Sequence, residues 1–176
     1  MTAARVLALT ALSALAVAAG CQSIPADAPR ANASLQPTKG STVHGTVNFV
    51  QIGDKVRVTA KVTGLKPNSE FGFHILEAGD CSSGDGMSTK GHFNPYGKAH
   101  AHAGTPERHA GDLTSLKSDG GGDANLTVDL DVITVAAGPA SIVGRGLIVH
   151  AQPDDFKTQP TGNAGARSAC AVIQRS

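Results

Sequence analysis

Tryptophan is absent from this chain, tyrosine occurs once and phenylalanine five times, so aromatic residues make up only 3% of it. A core of stacked rings is thereby excluded, and apolar packing falls to Val, Ile, Leu and Ala. A surplus of charge is lacking too, since 15 Lys and Arg against 14 Asp and Glu leave a formal +1. Bulk charge therefore implies neither nucleic acid nor an anionic membrane surface as a partner, and any steering field has to be local. No long helical period appears anywhere. What is plentiful is glycine, 21 residues of it, in a chain whose 176 residues suffice for one domain of many short strands and turns.

The first twenty residues stand apart. Arg5 precedes an uncharged run from Val6 to Ala19, too short for a comfortable membrane span, and Ala18-Ala19-Gly20 then lead into Cys21. Small residues directly before a cysteine resemble a bacterial lipobox, of which Ala18 is the least typical member. Residues 1–20 are accordingly expected to be a lipoprotein-type signal, and Cys21 an acylated residue that holds the mature chain to a membrane. From Gln22 to about Pro37 the residues are mostly Ala, Pro, Ser, Asn and Gln, with too little apolar bulk to pack. That composition predicts a flexible tether over residues 21–40 and a folded domain over 41–176. Removal of Arg5 brings the basic count of 15 down by one, level with the 14 acidic residues.

Alternation marks the strands. Val43, Gly45, Val47 and Phe49 fall on one face with Thr42, His44, Thr46 and Asn48 on the other, which makes His44 a solvent-exposed residue and not a ligand. After Ile52-Gly53-Asp54, Val56, Val58, Ala60 and Val62 alternate with Lys55, Arg57, Thr59 and Lys61, so the two runs predict a hairpin. Glu70–Glu77, Asn125–Val135, the run into His150 and Ala169–Ile173 supply further strands. Short strands joined by long loops predict an all-β fold, a Greek-key antiparallel β-barrel or sandwich of about eight strands.

Between Phe71 and Asp112 lie His74, His92, His100, His102 and His109, five of the chain's seven histidines. Four residues there form an H-x7-H-x8-H-x2-D series, His92, His100, His109 and Asp112, within a segment too rich in Gly, Pro and Ala for a regular helix or strand. Three imidazoles and a carboxylate are a reasonable tetrahedral shell for zinc. With Cys21 set aside for lipid, Cys81 and Cys170 remain as an even pair. After an export signal a disulfide between them is expected, which would pin the metal loop to the last strand.

Five segments carry a resemblance: GFH at Gly72–His74, GHFNP at Gly91–Pro95, RHAGDL at Arg108–Leu113, GRGLIVHAQPDD at Gly144–Asp155, and TGNAGARSACAVI at Thr161–Ile173. In their order and spacing they make the chain from about Thr42 to Ile173 similar to the copper/zinc superoxide dismutases, in particular the exported bacterial members. The resemblance implies copper on His74, His92 and His150, and zinc on His92, His100, His109 and Asp112, with His92 bridging the two. It implies Asp154 as a carboxylate hydrogen-bonded to histidines on both metals, Arg167 as the guide that draws the superoxide anion inward, and Cys81–Cys170 as the family's disulfide. A periplasmic or cell-envelope location follows, with the membrane reached only through the lipid on Cys21, no nucleic-acid partner, and a homodimer as open as a monomer.

One position departs from the family pattern. Two residues after His74 the family has a second copper histidine, and here stands Leu76. Residues i and i+2 of a strand share a face, so a side chain that cannot ligate faces the copper position. Three imidazoles suit cuprous better than cupric ion. The expectation is a superoxide dismutase impaired by Leu76, or alternatively a weak or inactive relative that binds copper and zinc as a lipoprotein. His102, off the ligand series, is a candidate substitute ligand.

Overall fold

A computed structural model describes residues 24–176. The expected signal peptide and Cys21 lie outside the described residues. Ten strands, in chain order, are β1 (Arg30–Pro37), β2 (His44–Ile52), β3 (Lys55–Thr63), β4 (Glu70–Phe71), β5 (Phe73–Leu76), β6 (Leu116–Lys117), β7 (Ala124–Leu130), β8 (Gly146–His150), β9 (Arg167–Val172) and β10 (Gln174–Arg175). The only helical element among the described residues is one 3-10 turn at Met87–Thr89.

All named strand pairs are antiparallel, and the main sheet runs β5-β8-β9-β1-β2-β3-β7 with β10 also paired to β1. β4 and β6 form a separate two-stranded ladder. The sheet curls into an all-β half-barrel, as alternation and turn spacing require. Its inner face gathers alternate residues from almost every strand, including Leu35, Phe49, Val58, Phe73, Ile75, Leu147 and Ala171, into one core. Full burial of a side chain such as Phe49 or Phe73 stabilises the fold by roughly 1.5–3 kcal/mol. The β2–β3 hairpin closes through Gly53 and Asp54, with Gly53 at φ 58 supplying the left-handed conformation a two-residue hairpin needs.

The expected tether is corrected. Residues 30–37 form a strand in the middle of the sheet, registered as Arg30↔Val50 against β2 and Gln36↔Cys170 against β9. Ala31, Ala33 and Leu35 are 2%, 2% and 1% exposed and alternate with exposed Asn32, Ser34 and Gln36. The period of two is there, but two of its three inward residues are alanines, which carry little hydrophobic signal. The Glu70–Glu77 strand is also divided. Gly72 donates to Gln152 O and accepts from His150 N, both at 2.9 Å, and this switch of partners separates β4 from β5. The expected strand to Val135 ends at Leu130.

On the outer face of β5, β8 and β9 lies a second, small apolar group of Leu76, Ile148 and Cys170 with Cys81 against it. His74 pairs with Ile148 and Leu76 with Gly146, so both side chains point to this outer face, where the long loops cross.

Candidate metal centre

The free edge of β5 organises the site. Ile75 N donates to Gly111 O, Phe93 N donates to Ile75 O and Gly111 N donates to Phe93 O, each at 2.9 Å. Isolated bridges join His74 to Asp112 and Leu76 to His92. The loop main chain thus serves as a ragged extra strand that carries the rings inward. Gly111 permits this approach, because a Cβ there would overlap Ile75 O.

The result is two groups of side chains, each able to hold an ion. His92, His100, His109 and Asp112 form one, and His74, His92 and His150 the other; within each, one ligand atom per residue lies within 4.8 Å of the rest. All seven memberships are buried, and His92 belongs to both groups. In the first, Asp112 Oδ1 lies 2.9 Å from His92 Nδ1, 2.9 Å from His100 Nδ1 and 3.4 Å from His109 Nδ1, so three rings converge on one carboxylate. Its Oδ2 accepts from the main-chain N–H of Ala101 and His109.

Asp154 links the groups. Its Oδ2 accepts from His74 Nε2 at 2.7 Å and its Oδ1 from His100 Nε2 at 2.9 Å. Gly162, at φ 66, leaves room for this link, since a Cβ at that position would occupy the space of Asp154 Oδ1 and crowd His100 Nε2.

The donor chemistry tests whether a metal fits. A carboxylate only accepts, so the His74 proton resides on Nε2 and the Nδ1 lone pair is free. His150 donates Nδ1–H to Gly165 O at 3.2 Å, which frees Nε2, and His92 engages Asp112 through Nδ1. The three remaining nitrogens, His74 Nδ1, His92 Nε2 and His150 Nε2, are buried without any hydrogen-bond partner. Orphaned lone pairs at one buried spot are costly unless a cation takes them up. The set fits a metal ion.

Electrostatics follow the same lines. Burial lowers His92 to about 4, against the pull of Asp112. Burial, reinforced by neighbouring His74, lowers His150 to about 3, so both rings are neutral at ordinary pH and available as ligands. Burial also acts to lower His100, but the flanking carboxylates of Asp112 and Asp154 overcome it and raise this ring to about 9. Asp112 and Asp154 stay well below the usual carboxylate range, because hydrogen bonds from the rings outweigh the upward push of burial.

Arg167 is partly buried beside this wall. It donates to Gly86 O at 2.6 Å, Thr89 Oγ1 at 2.7 Å and Lys90 O at 2.6 Å, and burial draws its guanidinium below the ordinary value. Cys81 and Cys170 are joined in a disulfide, which ties β9 to the loop that supplies those acceptors. Leu76 is 0% exposed and packs with Ile148 and Cys170. His102 belongs to neither metal-capable group; it is exposed, accepts from Gly104 N at 3.0 Å and lies edge-on to Phe156. His44 is exposed, as expected, and meets Thr42 O and Thr63 Oγ1.

Two supporting residues escaped the sequence reading. Gln159 clamps the main chain of His100, accepting from its N–H and donating to its C=O, both at 2.8 Å. Thr89 is fully buried and holds Arg167. Neither residue type signals such a task; the TQP and STK surroundings look like ordinary loop.

These features define an antiparallel β-protein carrying two abutting metal-capable groups that share one imidazole. The family described as copper/zinc superoxide dismutase matches residues 43–173. The chain belongs to the copper/zinc superoxide dismutase family, whose metals are copper and zinc. It is 37% identical over 149 residues to Superoxide dismutase [Cu-Zn] 2 of Aquifex aeolicus (strain VF5), covering 82% of this chain and 86% of that one. It is 42% identical over 137 residues to Superoxide dismutase [Cu-Zn] of Paramecium bursaria Chlorella virus 1, covering 74% and 72%. The crystal structure of the clock protein EA4 superposes with a TM-score of 0.76 at 39% identity, over 84% of this chain and 94% of that one.

Proposed function

We propose that this chain is an exported superoxide dismutase that turns two superoxide anions and two protons into dioxygen and hydrogen peroxide. Copper would be held by His74, His92 and His150, and zinc by His92, His100, His109 and Asp112. The observation that carries the reading is the trio of buried, partnerless nitrogens on His74, His92 and His150, beside a cage that shares His92.

When bound, copper supplies reversible one-electron exchange and zinc supplies fixed positive charge. His92 Nε2 is the atom at which a proton is taken up and returned, because Nδ1 stays engaged on the Asp112 side. Asp154 fixes the tautomer and orientation of His74 and His100 at once. Arg167 keeps a positive charge at the wall and draws a small anion inward, a rate effect that salt weakens.

Leu76 modifies this activity. His74, His92 and His150 would offer a copper ion three imidazoles in place of the four-ligand tetragonal set that cupric ion prefers, so the site would hold cupric ion less tightly and would favour the cuprous state. Leu76 also favours a second reading, a copper- and zinc-binding lipoprotein without turnover. Dismutation by the copper- and zinc-loaded protein, measured beside Leu76→His, separates the two. If the natural chain shows no rate above free copper while Leu76→His gains orders of magnitude, the enzyme reading fails.

Export and anchoring through Cys21 complete the proposal. The Cys81–Cys170 disulfide supports an oxidising compartment. The mass of the mature N-terminus tests the anchor, since acylation of Cys21 adds the weight of its lipid.

A further inference from the structure

The strand nature of residues 30–37 changes what a lipid on Cys21 does, and the inference here rests on that anchor. A tether running to Pro37 would reach roughly 55 Å when extended and would leave the barrel free to tumble. The barrel instead begins at Arg30, nine residues after Cys21, a reach of at most about 30 Å. Even that is shortened by a turn, in which Ala28 N donates to Pro25 O at 3.2 Å.

The leash leaves from a defined end of the barrel. Pro29 O accepts from Gln51 N at 2.9 Å, beside the Gly53-Asp54 hairpin turn. From there β1 runs roughly 23 Å to Pro37, at the rise of an extended strand. At its far end Thr38 Oγ1 donates to Arg167 O at 2.6 Å and Lys39 N donates to Gly84 O at 2.8 Å. Arg167 and the loop that holds its guanidinium therefore belong to the end opposite the leash. To turn that end toward the bilayer, the leash would have to double back along nearly its whole reach.

We propose that the leaflet carrying the Cys21 lipid is met by the hairpin end of the barrel, around Asp27, Arg30, Asp54 and Lys55, and that the Arg167 end faces away into the aqueous compartment. Arg30, Lys55 and Arg175 are matched at the leaflet-facing end by Asp27, Asp54 and Asp131, so the leash sets the orientation and the anionic content of the membrane does not. Superoxide then reaches Arg167 from the open side.

The absence of tryptophan makes a clean reporter available. Single Asp54→Trp and Lys39→Trp variants of the full, processed chain are bound to phosphatidylcholine vesicles containing a lipid spin-labelled on its headgroup. Both substitutions fall on exposed residues, and Met87→Trp, on the exposed turn beside Arg167, serves as a second far-end reporter. Quenching several-fold greater for Asp54→Trp than for Lys39→Trp and Met87→Trp is expected. Equal or reversed quenching on vesicles that carry the protein through flotation overturns the orientation and leaves the anchor standing. Failure to float overturns both.

Discussion

The main chains of Leu76 and His92 form an antiparallel bridge. Leu76, at the position where the resemblance leads one to expect a copper ligand, is thus paired with the one ring that serves both metal-capable groups, and a change at Leu76 is felt where the groups join. Leu76 is also fully buried against Ile148 and the disulfide. We expect Leu76→His to act in opposite directions on the two forms of the protein. Without metal it places an unsatisfied imidazole among apolar side chains and lowers stability by about 1–3 kcal/mol. With copper it adds a fourth ligand and raises cupric affinity. Thermal melting of both forms checks this, and an unchanged metal-free melt contradicts it.

Asp154 touches rings of both groups, so one substitution is expected to weaken two sites. Asp154→Asn keeps the shape but removes the charge that holds the His74 and His100 protons in place. Roughly 10- to 100-fold losses in affinity for copper and for zinc are expected from competition titrations with chelators. A loss confined to one metal would show that the link is structural only.

The metal-free protein is expected to melt highest near pH 6.5. His92 and His150 are lowered to about 4 and about 3 in the fold, so between those values and 6.5 the unfolded chain binds more protons and stability falls with acidification. Asp112 and Asp154, also lowered, join this loss only below roughly pH 4. His100, raised to about 9, has the opposite sign: its contribution is complete below 6.5 and is lost as pH climbs toward 9. A metal-free melting temperature that rises steadily from pH 6.5 to 9 would refute this balance.

Arg167→Lys keeps a charge but loses the fork that reaches Gly86, Thr89 and Lys90 together. A lower dismutation rate is expected with part of its salt dependence kept, whereas Arg167→Ala is expected to flatten that dependence. Rates measured across ionic strength distinguish guidance of the anion from support of the loop, because a purely supporting arginine would leave the salt slope unchanged in both variants.

Opening the Cys81–Cys170 bridge, whose partners are 89 residues apart, is expected to cost the metal-free protein about 4–5 kcal/mol by the loop-entropy argument. Denaturant unfolding of the Cys81→Ser/Cys170→Ser protein beside the oxidised chain measures it.

Much of this was legible in the residues themselves. Alternation placed β2 and β3 and their hairpin, because valines at every second position announce a half-buried strand. The H-x7-H-x8-H-x2-D series marked residues that the structure gathers around Asp112 Oδ1, since ligands from one loop leave a local spacing. His74 and His150 come from separate strands, and no spacing in the chain relates them; only the family resemblance joined them to His92. β1 was hidden because Ala31 and Ala33 look like linker residues, and the strand is held between nearby β2 on one edge and, on the other, β9 and β10 more than a hundred positions away. Gln159 was silent for a similar reason: its amide acts on the backbone of His100, which any residue offers.

The seam of the sheet, where β1 lies between β2 and β9, joins the beginning of the barrel to its last dozen residues. The wall cannot close until residues 167–175 have been made, so for most of its synthesis the chain carries a first strand with one edge unpaired.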